Sequence, residues 1–471
     1  MKKIILLATV LSSLISTVSC SDDFTDPQLQ QTDVIDETPI TTLGQLETFM
    51  NGTYALMRSQ YYYGCNYVVF GEVRGSDEMF STGSSGRYQT VSQFTMNATD
   101  SYASETWKRI YRVISNANIV INASITDGTP EEKIDEIKSQ AYAIRAWAYF
   151  DLIKLFGQKY TQDKNLGVPL ILDNTTNPAT FAVSRATLDE CYAQIESDFQ
   201  QAYEKSVYNI DVKQKLTKGA IAGLMSRYYL YKEDYTNVYK YAGEVTAQYA
   251  PIDKGLYVTS WRIEGLNSIF ELAYGVAGAI GTSSVGYIFS SEGYANTRLN
   301  PSLVAAYDPE DIRAKIKKDS KDKTGMLRQN SSKNATYIEG KYPLLTGESN
   351  QKLVRYEEIA LNQAEAILMG GGGSTAEALE LVNGIRAQRG ITPLTTITMD
   401  DVKEERRKEL VGEGFRVWDL LRWNKTLTRI DLTGEQDVTF PVGDFRLAFP
   451  IPQSEIDNNA GMNKDQQNKG Y

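Results

Sequence analysis

Apolar side chains recur along most of this chain at helical spacing. Residues 43–57 (LGQLETFMNGTYALM) and 105–125 (ETWKRIYRVISNANIVINASI) carry them three and four apart, which predicts amphipathic helices. Residues 135–157 predict a long helix closed by Gly157, and 184–205 a helix opening on Ser184. Residues 217–249 predict two helices that turn at Glu233-Asp234. A second helical block follows at 352–368, 375–390 and 400–424. Within it, GGGG at 370–373 stops one helix and Ser374 caps the next. Between the blocks, 250–351 is richer in Gly, Ser, Asn and Lys, with only short strand-like runs such as SIFELAY (268–274). The pattern therefore predicts a mainly α fold. Its helical scaffold is 43–249 and 352–424, its loop-rich insert 250–351, and its C-terminal segment 425–471.

Part of the scaffold is repetitive. Tyr229, Asp234-Tyr235 and Ala242, followed by Pro251, resemble a tetratricopeptide unit of about 34 residues. Such a helix pair cannot bury its apolar face alone and must stack on neighbours. Residues 352–390 have the same helix-turn-helix form.

The N-terminus follows a different pattern. Lys2 and Lys3 precede an apolar run, Ile4 to Ile15, that is too short to span a bilayer. Thr17, Val18 and Ser19 then lead into Cys20, and the layout resembles a bacterial lipoprotein signal. Residues 1–19 would be removed, Cys20 would carry acyl chains such as palmitate, and 20–42 would form a tether. Several chains on one cysteine anchor stably where one does not. The alternative is an ordinary secretory signal with an incidental cysteine. No later apolar stretch is long enough to cross a membrane as a helix.

Composition removes whole classes of chemistry. The net charge is −10, and it becomes −12 once Lys2 and Lys3 leave with the signal, which disfavours nucleic acid as a partner. There is no histidine, so Ser-His-Asp and Cys-His nucleophiles and HExxH zinc sites are out. Three cysteines are too few for a Cys-rich zinc site, and Cys65 and Cys191 read as free or buried thiols, a disulfide between them being the alternative. No catalytic, metal or cofactor motif stands out. A carboxylate-pair glycosidase is the enzymatic alternative, because acidic residues are plentiful.

An ordered set of landmarks then points to one family. CSDDF, GEVRGSDEM (71–79), WKRIYRVISNANIVINA (107–123) and AYAIRAWAYFDLIKLFG (141–157) come first. VPLIL (168–172), SRATLDECYAQIESD (184–198), KYPL…LVRYEEIALNQAEAIL (341–368) and VNGIRAQRG (382–390) follow. ERRKELVGEGFRVWDLLRW (405–423), FPIPQSEI (449–456) and QNKGY (467–471) close the set. Together they resemble the SusD/RagB family across nearly the whole chain. The resemblance implies a single tetratricopeptide-like domain over 43–471 in a lipoprotein on the outer-membrane surface. It also implies capture of oligosaccharide, or alternatively peptide, for a TonB-dependent SusC-like transporter, without catalysis or cofactor. Asp22 and Asp23 after Cys20 resemble a surface-export signal.

The family's charged and aromatic helical motifs read as packing devices. Glu413, Arg416, Asp419 and Arg422 sit at spacings that pair along one helix face. Trp107, Trp147, Trp418 and Trp423 suit burial. Arg74, Asp77 and Glu78 read as a buried polar network. A glycan needs an exposed aromatic plate flanked by amide, hydroxyl or Arg partners. Trp261 is the first candidate, because it alone among the tryptophans lies outside a predicted helix. Tyr287, Tyr294, Asn296 and Arg298 in the insert follow, with Arg87 and Tyr88 on a Gly/Ser loop. YYYGCNY (61–67) is a further aromatic loop. The anchor reading predicts that Cys20→Ala releases the protein from the membrane fraction; a variant that still pellets with outer membranes at high salt, without its transporter, refutes it.

Overall fold

A computed structural model describes residues 39–83, 85–174, 182–319, 321–430 and 436–471. Cys20, Asp22 and Asp23, with the signal and most of the tether, lie outside the described residues. From Thr41 onward the chain packs as one unit. Its longer helices are α1 (Leu43–Met57), α2 (Asn66–Val73), α3 (Ser101–Asn122), α4 (Glu131–Phe156), α5 (Leu188–Lys205) and α6 (Lys218–Lys232). They continue as α7 (Tyr235–Thr246), α8 (Tyr356–Leu368), α9 (Thr375–Arg389), α10 (Met399–Leu410) and α11 (Arg416–Arg422). The fold is mainly α.

Local chemistry sets most of these boundaries. Gly157 caps α4, and Glu233 takes the left-handed conformation (φ 65°) that separates α6 from α7. The Ser374 hydroxyl accepts from the Glu377 N–H at 3.2 Å and starts α9. Two expectations are corrected. Helix α5 starts at Leu188 and not after Ser184: the Thr187 hydroxyl accepts from Glu190 N (3.2 Å) while the Glu190 carboxylate accepts from Thr187 N (2.8 Å). That reciprocal capping box outcompetes a lone serine. The stretch 400–424 is two helices, because Gly412 (φ 82°) and Gly414 (φ 87°) turn the chain between α10 and α11. Helix α2 crosses this turn so closely that a Cβ on Gly71 would lie 2.1 Å from the Gly414 carbonyl.

Neighbouring helices stack as tetratricopeptide-like pairs. Helix α3 packs on α1 and α4, α4 on α5, α6 on α7, α7 on α8, and α8 on both α9 and α10. Small residues let the last group approach closely: Ala360 and Ala364 of α8 meet Ala378 and Val382 of α9 and Val402 of α10. Trp107, Trp147 and Trp418 are buried in this scaffold, and the half-buried Trp423 donates to Glu365 at 3.0 Å. YYYGCNY is buried apart from the half-buried Tyr61. The hydroxyls of Tyr62, Tyr63 and Tyr67 donate to the buried Asp151 at 2.7, 2.7 and 2.5 Å, and Lys154 pairs with it at 3.0 Å. Cys65 and Cys191 are free and buried, and burial pushes the Cys65 thiol up to about 12, which keeps it inert.

Among the described residues, eight short strands pair as four antiparallel ribbons. They are β1 (Met79–Ser81), β2 (Phe270–Leu272), β3 (Thr297–Leu299), β4 (Leu327–Asn330), β5 (Ala335–Ile338), β6 (Gln351–Val354), β7 (Leu427–Arg429) and β8 (Val438–Phe440). Ribbon β1–β3 ties the insert to the first block, β2–β6 and β4–β5 lie within 250–354, and β7–β8 belongs to the C-terminal segment.

An ionic knot joins the insert to the second helical block. Glu409 of α10 accepts from Arg389 (2.9 and 3.0 Å), Arg355 (3.0 Å) and Arg313 (3.1 Å), all buried. Glu357 also accepts from Arg355 (2.9 Å) and Arg389 (2.6 Å), and Glu413 accepts from Arg355 (2.8 Å) and Lys341 (2.5 Å). The expected pairing along one helix face is therefore corrected for two of its four residues. Only Asp419 and Arg422 pair that way (2.8 Å), whereas Glu413 reaches Arg355, and Arg416 reaches Asp77 (2.9 Å) and Glu78 (3.4 Å). The turn at Gly412–Gly414 breaks the shared face. Burial by itself raises the Glu409 carboxyl, but Arg389, Arg355 and Arg313 outweigh it and hold the group far below its ordinary 4.5. Its stabilising contribution is thus fully present above that value and is lost as pH falls through the lower folded value. Glu409→Gln takes one negative charge from among three buried guanidiniums, which keep only their other carboxylate partners, and should cost about 3–5 kcal/mol at pH 7. Thermal melts should show the gap to wild type closing as the pH drops toward 3; a gap independent of pH contradicts this account.

Candidate functional site

Two segments far apart in the chain meet at ribbon β1–β3. Met79 faces Leu299, Phe80 faces Arg298, and Ser81 faces Thr297, so the loop after β1 lies against the loop before β3. The Ser85 hydroxyl donates to the Asn296 side-chain oxygen at 2.6 Å, and the Asn296 amide donates to Ser81 at 3.4 Å. The exposed Arg87 donates to the Tyr294 hydroxyl at 2.9 Å and lies 4.2 Å from the centre of its ring. Tyr287 meets Tyr294 edge to face with centroids 4.9 Å apart, and both rings are half-buried.

The loop carrying these tyrosines is braced from within. The Tyr294 N–H donates to the Tyr287 carbonyl at 2.8 Å, and Ala295 takes a left-handed conformation (φ 48°). A Cβ on Gly293 would sit 2.1 Å from that same carbonyl, so the bend needs glycine there. Glu339, just beyond β5, supports the loop from behind by accepting from the Ser291 N–H (3.0 Å) and hydroxyl (2.7 Å). Ser85 and Glu339 carry no mark in the sequence that separates them from other polar loop residues.

Three of the sequence candidates are corrected. Trp261 follows a single helical turn, Tyr257–Ser260, and is only 4% exposed. Lys341 and Arg355 of the ionic knot each lie 5.1 Å from its ring, so it is a hydrophobic cover on buried charge and not a ligand plate. Tyr88 is equally buried: its ring stacks on Tyr102 (4.7 Å) and its hydroxyl donates to Asn66 at 2.8 Å. Asn296 is buried too, and its contacts hold Ser81 and Ser85, which makes it a brace between the loops. Tyr287, Tyr294 and Arg87 remain at the surface, beside the half-buried Arg298.

A separate polar cleft of about 320 Å³ lies between Thr161–Asp163, Gly443–Arg446 and Asn468–Gly470. Its charges satisfy one another, Lys469 with Asp163 (2.6 Å) and Arg446 with Asp444 (2.7 Å). Among the described residues, no group of His, Cys, Asp or Glu is arranged to hold a metal ion, and no helix is long and apolar enough to cross a membrane.

Comparison with known proteins agrees with this architecture. Residues 30–230 match the family described as "Starch-binding associating with outer membrane", and residues 313–471 match the SusD family. The chain belongs to the SusD/RagB family. Among its SusD relatives is SusD-like protein P2 of Formosa agariphila, 25% identical over 88% of this chain and 90% of that protein. The starch-binding protein SusD of Bacteroides thetaiotaomicron is 33% identical over 122 residues, 25% of this chain and 21% of that one. Among solved structures, a putative sugar-binding protein of Bacteroides vulgatus superposes with a TM-score of 0.79 at 29% identity, covering 92% of this chain and all of the other.

The scaffold thus buries Trp107, Trp147, Trp261 and Trp418 and leaves the half-buried Tyr287 and Tyr294 at the surface. Trp261→Ala should cost about 3–5 kcal/mol of stability, on the scale of a buried aromatic truncation. Thermal melting should show the loss, while sugar binding per folded molecule stays unchanged. A normal melting temperature with lost binding restores Trp261 as a contact.

Proposed function

We propose that this protein captures oligosaccharide on the cluster of Tyr287, Tyr294 and Arg87 and passes it to a TonB-dependent SusC-like transporter. Lipidated Cys20 holds it on the outer-membrane surface. The observation that carries this reading is the meeting of the 85–88 and 287–296 loops, which sets half-exposed rings beside a guanidinium. Sugar rings offer C–H faces bordered by hydroxyls, which suit aromatic edges with Arg donors alongside. The loops sit on a rigid helical scaffold, an arrangement that favours recognition. The starch-binding relative and the sugar-binding structural neighbour support the ligand class.

Binding proceeds without turnover. Glu339, the carboxylate braced against the site, is committed to Lys317 at 2.8 Å and to Ser291. Burial raises its carboxyl, but Lys317 and the Ser291 donors outweigh that and hold it below the usual range. A general acid needs the opposite shift.

Tyr294→Ala and Arg87→Ala should each weaken binding of a recognised oligosaccharide by about 1–3 kcal/mol in calorimetric titration, with unchanged melting. Chromatography of the incubated sugar should show no new product. Affinity for peptides alone, or sugar binding indifferent to both substitutions, overturns the proposal.

A further inference from the structure

Residues 315–334 carry seven cationic side chains against two carboxylates, in a chain whose net charge is −10. Lys315, Lys318, Lys321, Lys323 and Lys333 are exposed, and Arg328 is half-buried. None of these five lysines forms an ion pair with another described residue; in this segment only the buried Lys317 does. The two carboxylates are turned onto the backbone. Asp319 accepts from the Lys321 N–H (2.8 Å), and Asp322 accepts from the N–H groups of Lys318 and Thr324 (both 2.8 Å). Cations are thus presented outward while the acids brace the turn.

This basic segment is tied to the aromatic site. It runs into ribbon β4–β5, and β5 lies beside β3, the strand that ends the Tyr287–Tyr294 loop. The clamp is Glu339, which grips Lys317 of the basic segment (2.8 Å) with one oxygen and Ser291 of the tyrosine loop (2.7 Å) with the other. Arg87, over Tyr294, and Arg298 of β3, four residues beyond Tyr294, add positive charge on the aromatic side. An acidic protein repels polyanions at long range, and only a local positive field of this kind offsets that.

We infer that the preferred ligand is an acidic oligosaccharide, with uronate or sulfate groups lying along the lysine segment while a neighbouring sugar rests on Tyr287 and Tyr294. This rests on the glycan-binding reading above and narrows its ligand class. Exposed lysines are long, mobile point charges and suit carboxylates or sulfates spaced along a flexible chain.

The test titrates the mature protein with oligogalacturonate and with chondroitin sulfate oligosaccharide, against neutral gluco-oligosaccharides of equal length. At about 50 mM salt at least one acidic ligand should bind about tenfold tighter than any neutral one, and the advantage should shrink at about 500 mM. A K318Q/K321Q/K323Q variant should lose most of that advantage, melt normally and bind neutral sugars as before. Tyr294→Ala should weaken acidic and neutral binding alike. Neutral binding that depends on Tyr294, without any acidic preference, overturns this inference and leaves the glycan reading standing. Acidic binding indifferent to Tyr294 and matched by inorganic polyphosphate marks a generic anion patch and also overturns it. If no sugar binds at all, the glycan reading itself falls.

Discussion

A carboxylate carried into the interior on α10 governs the second half of this molecule. Removing Glu409 from water is costly, and only several well-placed cations offset it. Those cations come from three places: Arg313 in the insert, Arg355 between β6 and α8, and Arg389 at the end of α9. Meeting them all fixes α8, α9 and α10 against one another and pulls the insert onto the scaffold. Glu357 and Glu413 then complete the pairing that one carboxylate cannot supply. A knot of this sort favours one arrangement strongly, because any slip leaves a buried charge alone.

The position of the knot explains why Trp261 is buried. Lys341 and Arg355 draw Trp261 over themselves, so the largest aromatic of the insert becomes part of the wall that keeps water out. The half-exposed rings of Tyr287 and Tyr294 lie away from this ionic core, next to ribbons β1–β3 and β4–β5. There Glu339 links a tyrosine loop and a basic segment to one rigid support. The tyrosine loop and the basic segment thus share a few hydrogen-bonded points of attachment at Glu339.

Helical spacing was legible because it is local. The period of apolar residues, Gly157, the Glu233-Asp234 turn and the Ser374 cap all act within a few residues of themselves. The misreadings were local competitions as well. Thr187 and Glu190 form a box that a neighbouring serine obscured, and apolar spacing runs on through Gly412 and Gly414 although the backbone does not. The aromatic loops were recognised as segments, but their exposure was not. A four-residue helical turn at Tyr257–Ser260 is too short to show which side of Trp261 faces the core.

By itself, then, the sequence determined the mainly α class, the helix-pair logic, the exclusion of histidine chemistry and, through its ordered motifs, the family. These follow from spacing, composition and order, which need no knowledge of distant neighbours. Tertiary structure alone decided which charges pair and which aromatics stay at the surface. Glu413 meets Arg355 across 58 residues and Arg87 meets Tyr294 across 207, and no periodicity encodes such a meeting. The physical reason is that burial and ion pairing depend on what packs from the other side, and that partner is chosen only when the whole chain closes on its core.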